Sequence, residues 1–354
     1  MTITKLRLLP ILSTLMIATF CAAQSTQLNL PLQSQGAKLT QTIGITDVTI
    51  NYHRPLANGR KVWGGLVPYG DVWRAGANQN TTITFANDVT IEGKPLPAGT
   101  YGLHMIPTEG DWTVIFSKQH DAWGSFSYKE SEDALRVTVK PQPADFHNAL
   151  SYDFDQLKPD SAIVVMSWDK LAVPFKVAVN VNQVVEASLQ NQLRGLSQYT
   201  WDGWDDAATY MVDNKIDLNE ALKYENNSIQ NEDRFENEMT KSRILAALGQ
   251  NAESQQAKQK ALSLASAQQL YGYGRQLQRE KKQQEAFAIF KQAAEKDPNN
   301  WLSHAGLARI AVGEGNYPEA TKQMQLALAS APDPAKSGVE SLVKRLQANE
   351  DINK

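Results

Sequence analysis

Cysteine is almost absent. Cys21 is the only one among 354 residues, so neither an intrachain disulfide nor a thiolate-rich metal site can form. A charge surplus is missing too. The 35 Lys and Arg stand against 38 Asp and Glu, a formal net charge of -3, and a dedicated nucleic-acid binder needs a basic excess to displace counterions. Nucleic acid is therefore not an expected partner. Histidine is scarce, and His53, His104, His120 and His147 show neither the His-x-His spacing of a strand nor the i, i+4 spacing of a helix that aims two imidazoles at one ion. No metal and no cofactor is expected. A nucleophile elbow, a phosphate loop and a dinucleotide glycine fingerprint are also lacking, since Gly272-Tyr273-Gly274 falls inside a helical pattern.

Long apolar runs are few. The clearest extends from Leu8 to Phe20, follows Lys5 and Arg7, and gives way to Cys21-Ala22-Ala23 and polar Gln24-Ser25-Thr26. These are the three parts of a secretory signal, and the run falls short of the roughly 20 residues that cross a bilayer. Residues 1–23 are expected to be cleaved. The mature chain would then have no cysteine and no transmembrane segment, and would work in the periplasm or outside the cell. A lipid anchor on Cys21 is disfavoured by the bulky Phe20 before it.

The remainder carries two periodicities. From Gln41 to about Asn180 apolar residues alternate in short runs, as in Val48, Ile50 and Tyr52 or Trp112, Val114 and Phe116. That pattern predicts half-buried antiparallel strands, and eight or nine of them predict a β-sandwich or jelly-roll over 30–180. Pro174 places its run at a sheet edge. After Asn180, Gln, Ala, Leu, Glu and Lys dominate. Residues 181–200 read as a helical connector, 201–334 as a helical array, and 335–354 as a capping helix and tail. The fold class is multidomain, all-β followed by all-α.

The array repeats. Pro298 and Pro332 lie 34 residues apart, and Ala286, Phe290 and Ala293 recur at that spacing as Ala320, Met324 and Ala327. Helix pairs of this length stack to bury their apolar faces and present a concave wall. With Leu270, Gly274, Leu277 and Gly315-Asn316-Tyr317 the pattern resembles the tetratricopeptide repeat, in about four units of which the last two are clear. In this register Arg243, Arg275 and Arg309 share one position on successive first helices, which the resemblance places in the groove. Tyr271 and Arg279 lie one turn to either side of Arg275. Guanidinium forks match carboxylates, so the expected partner is a peptide or protein of acidic character. Alternatively, these arginines pair with Glu280, Glu285 or Glu314.

In the β half, the connection from Arg54 to Asn78 holds three arginines, two tryptophans and a tyrosine. So long a loop is either functional or packed on itself. As a site it offers Arg54, Arg60 and Arg74 as donors, Trp63 and Trp73 as stacking plates and Asn78 as an amide, for a small anionic ligand or a glycan; His104 lies on a later strand. As scaffold, its tryptophans fill the sandwich end and its arginines bond loop carbonyls. Arg54-Pro55, Gly59-Arg60, the run Gly64 to Gly70, Val72-Trp73-Arg74, Gly76-Ala77-Asn78 and Leu96-Pro97-Ala98-Gly99-Thr100-Tyr101 resemble the family known as domain of unknown function 2911. The resemblance covers about residues 30–179 and implies export from Bacteroidota-type bacteria, with tetratricopeptide repeats behind the β domain. It implies no activity. Asp160-Ser161-Ala162 looks like a short O-glycosylation acceptor of such bacteria. The reading is thus an exported binding or assembly protein, with the alternative of a hydrolase acting on glycan or peptide, using the loop and His53 or His104 as base.

Overall fold

The computed structural model describes residues 30–353. The signal segment and Cys21 lie outside the described residues. Ten strands come first: β1 (Gln35–Ile43), β2 (Thr46–Arg54), β3 (Thr82–Phe85), β4 (Val89–Ile91), β5 (Lys94–Leu96), β6 (Gly99–Ile106), β7 (Trp112–Ser117), β8 (Asp133–Val139), β9 (Gln142–Lys158) and β10 (Ser161–Ala178). They pair antiparallel in a six-stranded sheet ordered β1-β2-β3-β6-β7-β8 and a four-stranded sheet ordered β5-β4-β10-β9. One core is shared by both, with Val48, Ile50 and Tyr52 of β2 facing in and Asp47 and Asn51 facing water. This is the period-two alternation that a half-buried strand requires.

Pro174 corrects one expectation. It lies in β10, an inner strand, rather than at an edge. Pairing of β10 with β9 runs only to Ala172, and pairing with β4 begins at Val177. The proline therefore sits in an interval where neither ladder needs its missing N–H. Between β1 and β2, Gly44 turns with φ +60, and an added Cβ would lie 2.7 Å from the Val181 side chain. That turn is both left-handed and packed against the start of the helical part, so it takes glycine.

The helices are α1 (Val181–Gln192), α2 (Trp201–Asn214), α3 (Leu218–Asn231), α4 (Phe235–Ala247), α5 (Asn251–Leu264), α6 (Ala267–Arg279), α7 (Gln283–Lys296), α8 (Trp301–Gly313), α9 (Tyr317–Ser330) and α10 (Asp333–Gln347). They pack as α2/α3, α4/α5, α6/α7 and α8/α9, with α10 against α9. First helices of neighbouring pairs also touch, α2 with α4 and α6 with α8. Local chemistry starts these helices: Asp217 and Asn316 accept from the N–H three residues on, and Ser266 and Gln269 form a reciprocal capping box. Small residues then allow close approach. A Cβ on Gly274 of α6 would lie 2.4 Å from the ring of fully buried Phe290 in α7, which explains glycine in a helix interior despite its propensity cost.

Candidate functional site

Two regions concentrate the polar chemistry. In the β half, the loop after β2 folds around a tryptophan cluster. Trp63 stands edge-on to Trp73, Trp112 and Trp168 at centroid distances of 5.7, 4.8 and 5.7 Å, and Trp73 stacks on Trp168 at 5.9 Å. Trp112 comes from β7 and Trp168 from β10, so the loop ties the two sheets together. Each loop arginine donates to a main-chain carbonyl: Arg54 Nε to Leu150 at 2.8 Å, Arg60 Nε to Ala57 at 3.1 Å, and Arg74 Nη1 to Asn78 at 3.0 Å. Arg60 also reaches the Leu56 carbonyl. Asn78 donates to Ser34 O, and burial lowers the Arg74 pKa.

Beside this loop opens a cleft of about 240 Å³ with Asn58, Arg60, Trp73, Arg74 and Trp168 among its walls. Of the candidate ligand residues, Arg60, Trp73 and Arg74 reach it, whereas Arg54, Trp63, Asn78 and His104 do not line it. Bonds to carbonyls leave each cleft guanidinium some N–H groups free, enough to hold an anion or a sugar hydroxyl.

His104 is 2 % exposed, and its Nδ1 is 2.9 Å from Ser125 Oγ. Burial, partly opposed by the charge of Asp133, lowers its pKa to about 4, so the ring is neutral at physiological pH. Nearby, Tyr128 donates to Asp133 Oδ2 at 2.7 Å and Arg136 pairs with the same oxygen. This network fastens the 118–132 segment to β6 and β8. No sequence pattern pointed to Ser125, Tyr128, Asp133 or Arg136 as a group. Ser161, read as a glycosylation acceptor, is 3 % exposed and donates to Asp160. A glycan has no room there.

In the helical half, Arg275, Arg309 and Tyr271 come together. Arg309 is 4 % exposed and donates Nε to Tyr271 Oη at 3.1 Å, while Arg275 donates to Gln278 Oε1. Burial first, then the Arg309 and Arg279 charges, lower the Arg275 pKa. Arg279 is exposed. Arg243 stands apart and pairs with Asp213 of α2. It borders an open cleft of about 510 Å³ between α4 and α6, with Phe235, Met239, Tyr273 and Gln276. Two of the suggested glutamate partners are engaged elsewhere: Glu280 pairs with Lys282 and Glu285 with Lys258. Two participants were not foreseen. Gln278 and the segment after α10 both reach Arg309 or its neighbours, and the only hint was Ile352, one apolar residue in a polar tail.

Among the described residues no group of three or more His, Cys, Asp or Glu side chains could hold a metal ion, and no helix is long and apolar enough to cross a membrane. Residues 34–177 match the family described as protein of unknown function (DUF2911), and residues 277–349 match a tetratricopeptide repeat family, in the domain order the sequence resemblances imply. No curated protein matches the chain. Among solved structures it is similar to one titled "Crystal structure of YrrB: a TPR protein with an unusual peptide-binding site", at 13% identity and TM-score 0.27, over 47% of this chain and 86% of that one.

Proposed function

We propose that this is an exported docking protein. Its helical repeats hold a peptide or protein, and its β domain, a sandwich in this reading, holds a small anionic or glycan ligand beside the loop after β2. The tetratricopeptide match supports a role in protein interaction. The observation that carries the docking reading is the face where Tyr271, Arg275, Arg279 and Arg309 gather next to the α4/α6 cleft. Burial and then the Arg309 and Arg279 charges lower the Arg275 pKa, so an incoming carboxylate is favoured there because a negative ligand relieves the repulsion. A partner with acidic residues fits best.

The β-domain reading rests on the cleft walls of Arg60, Trp73 and Arg74. A hydrolase draws no support from this geometry. His104 is held against Ser125 away from the cleft, and His53 does not line it either. A general base must come within hydrogen-bond reach of its substrate.

The test is crosslinked capture of partners from an envelope extract by the full chain and by an Arg275→Ala, Arg279→Ala variant. Capture should fall by about tenfold or more for a ligand that loses a charge-assisted bond. Equal capture by both chains would refute the arginine-based groove.

A further inference from the structure

After α10, Asn349 takes a left-handed φ of 56, and the residues beyond it reach α6 and α8. Ile352 is 2 % exposed and belongs to the apolar cluster of Ala305, Ala308, Val312, Val343 and Leu346. Arg309 donates Nη1 to the Ile352 carbonyl, and Arg345 donates Nη2 to the Asp351 carbonyl at 3.0 Å. The Asn353 side chain bridges two helices, donating Nδ2 to the Arg309 carbonyl at 2.9 Å and accepting from Gln278 Nε2 at 2.8 Å.

Three successive residues are thus read in three ways. Main-chain carbonyls meet guanidinium groups, an aliphatic side chain fills a socket, and a carboxamide is recognised through its donor and its acceptor. An aspartate at 353 would set a carboxylate oxygen against the Arg309 carbonyl with no proton between them. The α4/α6 cleft continues the same row of helices, with Gln276 and Tyr273 on its wall.

We propose that residues 350–353 are an intramolecular ligand of the α6/α8 face, and that the partner is an extended peptide carrying an Ile-Asn pair behind acidic residues, which enters by displacing them. This rests on the docking reading of that face. Occupancy by the chain's own segment reduces the apparent affinity for a competing peptide by the fraction of molecules in the open state.

The test uses a fluorescein-labelled peptide, Ala-Asn-Glu-Asp-Ile-Asn-Lys, followed by anisotropy against the full chain and a chain ending at Asn349. The shortened chain should bind it at least about tenfold more tightly than the full chain. Peptides carrying Ile352→Ser or Asn353→Asp should each lose about tenfold. Should the shortened chain lose its helical circular dichroism, full-length Asn353→Asp, which keeps the Ile352 anchor, makes the same comparison. Equal binding by open and full chains overturns the proposal, as does absence of binding to a folded open chain. A full chain that sediments as a dimer and becomes monomeric when shortened assigns the segment to a second copy, and also overturns it. If the peptide fails while partner capture still depends on Arg275 and Arg279, the docking reading survives alone; if both fail, both fall.

Discussion

Glu225 of α3 should make the helical half less stable as pH rises. It is fully buried, and neither carboxyl oxygen meets a donor. Around it stand Asp205 of α2 with Glu238 and Lys241 of α4. Burial, then the charge of Asp205, raises its pKa from 4.5 to about 10. A proton on Glu225 converts the contact into a carboxyl-to-carboxylate hydrogen bond, with Glu225 donating and Asp205 accepting. The folded state therefore keeps a proton that the unfolded chain releases above its own pKa. Stability from this group is fully present below pH 4.5 and is lost progressively up to about pH 10, because the folded state binds more protons throughout that window.

Each pH unit inside the window withdraws about 1.4 kcal/mol, so at pH 7 the group has forfeited about 3 kcal/mol. That figure is set by the unfolded pKa, because pH 7 lies well below the folded one. Glu225→Gln keeps the shape and a donor toward Asp205 while removing the titration. Its second amide N–H adds a constant offset of about 1–3 kcal/mol if left unpaired, and this cancels between two pH values. Urea unfolding of both chains at about pH 6 and about pH 8, followed by far-ultraviolet circular dichroism, should show the gap shifting by about 3 kcal/mol in the variant's favour. Parallel stability profiles would mean that Glu225 is ionised in the fold, and the account of its burial would be wrong.

Gly274→Ala should lower the melting temperature despite better helix propensity, since the overlap with the Phe290 ring costs roughly 1–3 kcal/mol against a propensity gain of about 1 kcal/mol. Gly272→Ala, which meets nothing within 4 Å, should be neutral or stabilising, and indistinguishable melts for the two would contradict the packing argument. His104 should stay neutral well below the usual histidine midpoint. The unfolded ring protonates near 6.5 and the folded one near 4, so its stability contribution is present above 6.5 and is lost as pH falls toward 4. A ring-proton midpoint near 6.5 by NMR would show the site to be open to water.

What was legible in the sequence is what repeats. An antiparallel β region followed by a tetratricopeptide-like array could be read because Val48, Ile50 and Tyr52 alternate, and because Ala286, Phe290 and Ala293 recur as buried Ala320, Met324 and Ala327. β9 escaped notice for the same reason. Of its 17 residues only Leu150 and Tyr152 are buried, so it carries almost no alternation. Nothing in the pair Asp205-Asp206 marks either carboxylate for burial, yet one oxygen of Asp205 is buried without a hydrogen-bond partner, because α3 and α4 close over that side of α2. Both candidate sites turn on a different blind spot. Arg54, Arg60, Arg74 and Arg309 all donate to main-chain carbonyls, at Leu150, Ala57, Asn78 and Ile352. Every residue carries such an acceptor, so no choice of amino acid marks where it will be. A sequence can therefore place arginines on a shared face, whereas their freedom to meet a ligand depends on backbone that side-chain identity does not encode. Arg309 makes the point most sharply, since the carbonyl it binds belongs to the very segment a partner would have to replace.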